Sequence, residues 1–298
     1  MKRIAIIGMS GNSLFYEKQN NIFINVHKEV GGKGYNQAIA CIRNGIKVSY
    51  LSAVGNDKTG IELEDFMKKE GIDTFFKIKD NPTLEAKIYV DEDGSNVVTY
   101  NNEISATLSR LDVISFEEEI KRSDAILLQY EYPKEVIKEA IKLAKKHKKI
   151  IMINPAPMIY NDFDLIKDAN IITPNEEEAY KLFLNGSGDF NLLLEKEKAS
   201  GIKCIINTLG AKGICALKDG NVKYYEPIEV SAIDTTGAGD TFNGVFIANI
   251  LKGLSFDEAI ERGIVGSGLS VTKKYVMDAI VRDAEIEDYI NKKRTHIM

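Results

Sequence analysis

Seven short, nearly uninterrupted apolar runs recur along the chain with helix-period segments between most of them, and this alternation limits the fold more than any other feature. The runs are Arg3–Ile7, Val48–Val54, Ala125–Gln129, Ile150–Asn154, Ile171–Thr173, Cys204–Asn207 and Ile214–Lys218. Helical periodicity marks Asn36–Arg43, Gly60–Glu70, Lys134–His147, Glu176–Leu184 and Asn191–Ser200. Strands that are apolar at every position must be covered on both faces, which predicts an α/β fold with a mostly parallel sheet between helical layers. Such sheets bind ligands beyond the carboxyl ends of their strands. Glu131, Asn154, Thr173 to Glu178 and Thr208 to Gly213 each follow directly on a predicted strand. Two segments break the alternation: Ile22–Val26 and Lys87–Tyr100 read as antiparallel strands, the second turning at Asp91-Glu92-Asp93-Gly94.

The stretch Asp234-Thr235-Thr236-Gly237-Ala238-Gly239-Asp240-Thr241-Phe242-Asn243-Gly244 joins an acid, small residues and a helix start that continues to Leu251. Backbone N–H groups of Gly237 to Asp240 then sit at the unsatisfied helix N-terminus, where the dipole favours negative charge and the glycines let a phosphate approach. A carboxylate at Asp240 would repel that anion. It makes sense as a base that takes a proton from an attacking hydroxyl, although a plain capping acid is the competing reading. A second stretch, Gly31-Gly32-Lys33-Gly34-Tyr35-Asn36-Gln37-Ala38, opens another helix with a double glycine and one cation at its mouth.

These two stretches resemble the signatures of the ribokinase or PfkB-type carbohydrate kinase family. Further matches lie between them, in order: Leu128-Gln129-Tyr130-Glu131, Asn154-Pro155-Ala156-Pro157, Thr173-Pro174-Asn175-Glu176-Glu177-Glu178-Ala179 and Thr208-Leu209-Gly210-Ala211-Lys212-Gly213. The resemblance implies a ribokinase-like three-layer α/β/α fold as a single domain over residues 1–298. It also implies a small β-sheet lid, formed by about 12–30 and 84–102, that covers the sugar and offers a homodimer surface. His27 falls within that lid.

By the same resemblance, Gly237, Ala238 and Gly239 form the anion hole beside the base Asp240, and Gly32, Lys33, Asn36 and Glu131 join Asp240 at the substrate. Asn175, Thr208, Gly210, Lys212 and Gly213 would hold ATP, with Glu178 on the water shell of Mg²⁺. Asp234 and the carbonyl of Thr236 would serve K⁺. Three departures stand out. Ribokinase carries an Asn and an Asp after the first strand, whereas Gly8-Met9-Ser10-Gly11-Asn12-Ser13 has no acid, so Asn12 is the only stand-in and ribose specificity does not follow. Tyr275 replaces a flexible glycine in Thr272-Lys273-Lys274-Tyr275, and the run from Gly8 to Gly31 is several residues shorter than in ribokinase, which implies a reduced lid.

Composition narrows the function classes. A net charge of -5 argues against nucleic-acid and polybasic membrane binding, and no stretch approaches the ~20 apolar residues of a membrane span. Cys41, Cys204 and Cys215 show no metal or redox spacing and read as buried thiols of a cytoplasmic protein. No Gly-x4-Gly-Lys-Ser/Thr element is present, so the chain is not a P-loop enzyme. The expectation is an ATP- and Mg²⁺-dependent kinase acting on the primary hydroxyl of a small sugar. A nucleoside kinase of the same fold and a non-catalytic nucleotide or sugar sensor are the alternatives.

Overall fold

The structure, a computed structural model, describes residues 1–19, 22–90, 96–101 and 103–297; the expected turn at Asp91-Glu92-Asp93-Gly94 lies outside them. The chain begins β1 (Arg3–Ile7), β2 (Gly11–Gln19), β3 (Ile22–Gly31), α1 (Lys33–Arg43), β4 (Lys47–Gly55), α2 (Lys58–Glu70), β5 (Asp73–Lys79), β6 (Leu84–Val90) and β7 (Asn96–Tyr100). It continues α3 (Arg110–Ser115), α4 (Glu117–Arg122), β8 (Ala125–Gln129), α5 (Lys134–Lys146), β9 (Ile150–Asn154), β10 (Ile171–Ile172), α6 (Glu176–Leu184) and α7 (Phe190–Ala199). Last come β11 (Cys204–Thr208), β12 (Ile214–Lys218), β13 (Asn221–Tyr225), α8 (Ala238–Lys252), α9 (Phe256–Ser270) and α10 (Asp283–Ile297).

Nine strands form one sheet in the order β13-β12-β11-β10-β9-β8-β1-β4-β5, parallel except for the β12 and β13 edge. The apolar runs behave as doubly covered strands do. In β1, Ile4 and Ile6 pack with Tyr35, Leu63, Phe246 and Ile260 of α1, α2, α8 and α9. Their neighbours Ala5 and Ile7 point the other way, onto Val113, Ile120 and Ile137 of α3, α4 and α5. Every expected strand of this sheet is present.

The edge strands β5 and β13 carried no expectation, because Asp-Thr-Phe-Phe-Lys-Ile-Lys and Asn-Val-Lys-Tyr-Tyr are too polar to read as doubly buried runs. Nor did α9 and α10. The start of α9 does carry a signal, the reciprocal capping box of Ser255 and Glu258.

A second sheet has the order β3-β2-β6-β7. The expected antiparallel strands are there, but β2 was not foreseen, and it pairs parallel with β6 and antiparallel with β3. Strands of nine and ten residues in β2 and β3 show that the shorter run after Gly8 still yields two full strands. The fully buried Glu197 of α7 accepts both of its hydrogen bonds from the Asn207 amide of β11, at 2.8 and 3.1 Å. Burial pushes the Glu197 carboxyl up to about 7. The three cysteines are free and buried, and among the described residues no helix is long and apolar enough to cross a membrane.

Candidate active site

The carboxyl ends of the central strands and the N-termini of α1, α6 and α8 converge on a cavity of about 730 Å³. Its floor is the turn into α8. Gly237 caps that helix at φ 74, and a side chain there would meet Val276 Cγ1 at 2.7 Å, so both backbone conformation and packing require glycine. Gly239 also lines the cavity, and a Cβ added to it would meet nothing within 4 Å. This open space in front of a helix N-terminus is what a phosphate needs. The Ala238 N–H leans on the Thr235 carbonyl at 3.3 Å.

Asp240, in the first turn of α8, is buried and fixed at both oxygens: Asn36 Nδ2 donates to Oδ2 and Gln37 Nε2 to Oδ1, each at 2.9 Å. Gln37 is itself held by Gln129 Nε2 at 2.6 Å and reaches Asn154 Oδ1 at 3.1 Å, while Asn154 donates to the Thr173 carbonyl. This relay ties the carboxylate of one helix to three strand ends. Burial raises the Asp240 pKa against the opposing pull of Lys33, Gln37 and Asn36. Lys33 loses solvation by burial, yet the carboxylates of Asp240, Glu131 and Glu178 outweigh that loss and hold its ammonium above the usual range.

The expected residues do not all gather here. Lys33, Asn175, Glu178, Thr208, Gly210, Gly213 and the Gly237–Asp240 turn line the cavity, along with an apolar wall that includes Ile228, Val230 and Ile264. Asn175 and Glu178 form a reciprocal capping box on α6, with bonds of 2.8 and 2.9 Å, so the pair also caps the helix. Only Oε2 of Glu178 enters that box, and burial pushes its carboxyl up. Lys212 stands at the rim: its exposed ammonium pairs with Glu176 at 3.5 Å, while its neighbours Gly210, Ala211 and Gly213 line the cavity.

Gly32 caps α1 at φ 119 with a would-be Cβ 2.3 Å from the Met9 carbonyl oxygen, which fixes the chain's entry to Lys33. Buried Glu131 accepts the N–H groups of Met9, Lys33 and Gly34 at 3.0, 3.0 and 3.1 Å. It clamps the α1 N-terminus, and burial pushes its carboxyl up to about 7 despite those bonds.

Asn12 faces away from Gly11 and Ser13. Cross-strand pairs share a face, so Gly11, Ser13 and Phe15 lie with Gly31, Glu29 and His27, whereas Asn12 lies with Val30 on the other side. Its Nδ2 donates to Thr59 of α2 at 3.1 Å. The stand-in for the missing acid therefore points at α2, a consequence of register that no sequence window reveals.

Two groups of functional residues escaped the sequence reading. Gln37 holds Asp240 directly and Gln129 does so through Gln37, and Asn243 lines the cavity with a buried Oδ1 that has no partner among the described residues. The spacing of Asn243 from Asp240, one turn along α8, was the available signal.

Comparisons with known proteins agree with this geometry. The pfkB family carbohydrate kinase pattern matches residues 1–282. The ribokinase of Haemophilus influenzae is 36% identical over 265 residues, covering 87% of each chain. The solved ribokinase of Thermotoga maritima superposes with a TM-score of 0.87 at 28% identity, covering 98% of this chain and 100% of that one. A ribokinase from Cryptococcus neoformans, solved in complex with ADP, reaches a TM-score of 0.80 at 25% identity, covering 97% and 99%. A buried, doubly held carboxylate at the mouth of a phosphate-sized helix terminus and a family pattern over nearly the whole length lead to one assignment: the chain belongs to the pfkB family of carbohydrate kinases.

Proposed function

We propose that this kinase transfers the terminal phosphoryl group of ATP to a primary hydroxyl of a small sugar, with Asp240 as the general base. The observation that carries the reading is the placement of the Asp240 carboxylate, buried and gripped by Asn36 and Gln37, beside the open Gly239 turn. A carboxyl raised by burial is a stronger base than a solvated one, and it takes the proton from the hydroxyl as the new bond to phosphorus forms. The Gly237–Gly239 N–H groups and the Lys33 ammonium hold the charge that spreads over the migrating group.

The cavity fits the nucleotide: its volume suits one, its apolar wall suits a base, and the orphaned Asn243 Oδ1 is an acceptor without a donor. ATP supplies the phosphoryl group, and Mg²⁺ offsets the phosphate charge, with the uncommitted oxygen of Glu178 the candidate to order its water shell. The small sheet acts as the lid, excluding water from the reaction. The small sheet exposes the apolar side chains of Ile22, Val97 and Tyr100 at 65%, 64% and 62%, which supports a homodimer formed through the lid.

Asp234 gives less support to K⁺. Its oxygens already accept the N–H groups of Thr236 at 2.9 Å and Tyr275 at 3.1 Å, so its charge is offset by the chain itself. The test of the function is ADP release with Mg²⁺-ATP over a panel of pentoses, hexoses, deoxy sugars and nucleosides. At least one sugar should raise release well above the acceptor-free rate. Release stimulated by nucleosides alone would shift the assignment to a nucleoside kinase, and none with any acceptor would point to a sensor.

A further inference from the structure

Tyr275 is a non-glycine residue at φ 66, a left-handed conformation that L side chains with a Cβ rarely adopt. Such strain persists only where the surroundings over-determine it, and here they do. Its N–H donates to Asp234 Oδ2 at 3.1 Å, its ring stacks on His27 of β3 with centroids 3.5 Å apart and planes 12° apart, and the Phe15 ring of β2 meets it edge-on at 5.1 Å. The next two N–H groups continue the pattern. Val276 donates to both oxygens of Glu29, at 3.0 and 3.2 Å, and Met277 donates to Oε2 at 3.1 Å.

Three successive backbone N–H groups are thus shared between two carboxylates that belong to different parts of the molecule. Glu29 is in β3, on the lid face that carries Ser13, and is buried at 9% exposure. Asp234 heads the loop that becomes the phosphate turn, and accepts the Thr236 N–H as well. Between them, the Val276 side chain fills the space against Gly237, the N-cap of α8. A displacement of β3 therefore has a route to the turn: through Glu29 to Val276, and from Val276 to Gly237.

We infer that Glu29 and Tyr275 are positioning residues that tie the lid strand β3 to the Asp234–Asp240 turn, so that the anion hole is assembled only when the lid sits in place. The inference rests on the kinase reading above for its catalytic consequence, but not for its structural one. It gives the chain's two departures a common purpose. Glu29 supplies a carboxylate on β3 opposite Ser13, and the residue in the glycine's place carries the ring that clasps the lid.

The test uses the full-length protein and three variants, Glu29→Ala, Glu29→Gln and Tyr275→Gly. Hydrogen exchange comes first: Glu29→Ala should raise exchange by about 10-fold in both residues 22–31 and residues 234–241, with α5 unchanged. Kinetics follow on the best acceptor of the panel. Glu29→Ala should lower kcat by about 10-fold while KM for ATP shifts by less than about 3-fold, and Glu29→Gln, which keeps one acceptor oxygen, should recover most of that loss.

Tyr275→Gly keeps both carboxylates and relieves the strain, so it should fold in any case and loosen the same two segments by about 3-fold. Exchange that rises in 22–31 but not in 234–241 overturns the inference, as does an unchanged kcat in folded Glu29→Ala. A wild-type protein that phosphorylates nothing overturns the kinase reading instead, and the exchange pattern then decides this one alone.

Discussion

The nucleotide side and the sugar side of the site are built from different materials. Around the cavity the work falls to backbone, with Gly237 set by φ and packing, Gly239 open, and Gly210 and Gly213 in the turn after β11. Across Asp240 the work falls to side chains whose direction depends on register: Asn12 turned onto Thr59, Glu131 folded onto three N–H groups, Glu29 drawn to Val276. Backbone sites announce themselves in sequence because only glycine satisfies them. Side-chain sites do not, because a shift of one position along a strand moves every group to the opposite face.

The largest effect that sharpens this contrast is at the junction. Asp240→Ala should lower turnover by about 10² to 10⁴-fold in steady-state assays while ADP affinity, measured by calorimetry, survives, since the base acts chiefly in the transition state. On the backbone side, Gly239→Val puts a branched side chain into space now open to the cavity. Activity and ADP affinity should each fall by at least about 10-fold, with thermal stability nearly unchanged. An unfolded variant would show instead that the glycine serves packing.

On the side-chain side, free ribose should not be the best substrate. Neither Gly11 nor Ser13, the two residues that open this face of β2, carries a carboxylate, and a site that cannot pair a hydroxyl loses discrimination for it. Ribose ranking first in kcat/KM by about 10-fold or more over the panel would contradict this.

Two smaller effects concern charge. Glu197, which does not line the cavity, has its carboxyl raised to about 7 from 4.5, so the folded state binds its proton more tightly than the unfolded chain does. The Glu197 contribution to stability should be greatest below pH ~4.5, decline as pH rises toward ~7, and level off above, each pKa unit being worth about 1.4 kcal/mol. Glu197→Gln keeps an acceptor for Asn207 and supplies a donor to its orphaned Oδ1, so the variant's Tm at pH 8 should exceed the wild type's by about 2–4 °C, with little difference at pH 5. Smallest of all, replacing K⁺ by Na⁺ should change kcat by less than about 3-fold, because each oxygen of Asp234 already accepts an N–H group, from Thr236 and Tyr275.

Much of the fold was legible because its strands are apolar throughout and its helices periodic. The seven expected runs became seven strands of the large sheet. Beta2 was not, since Gly-Asn-Ser-Leu-Phe-Tyr-Glu-Lys-Gln faces solvent along part of its length and gains its strand character from β3 and β6. Within the site, the phosphate turn and Asp240 were readable from small residues at a helix start. The placement of Asn12 and Lys212 and the part played by Glu29 were not, because each depends on which way a side chain leaves a strand or turn.

The central claim is that one carboxylate performs the proton transfer while a separate backbone turn binds the phosphates. Asp240→Asn tests it most directly, since it keeps the side chain's shape and can still accept from one of the two amides that hold it. With ATP and a saturating acceptor, single-turnover transfer should slow by at least about 10²-fold while the ATP dissociation constant stays within about 3-fold of the wild type. Transfer at the wild-type rate, or a loss of ATP binding as large as the loss of rate, would contradict the account.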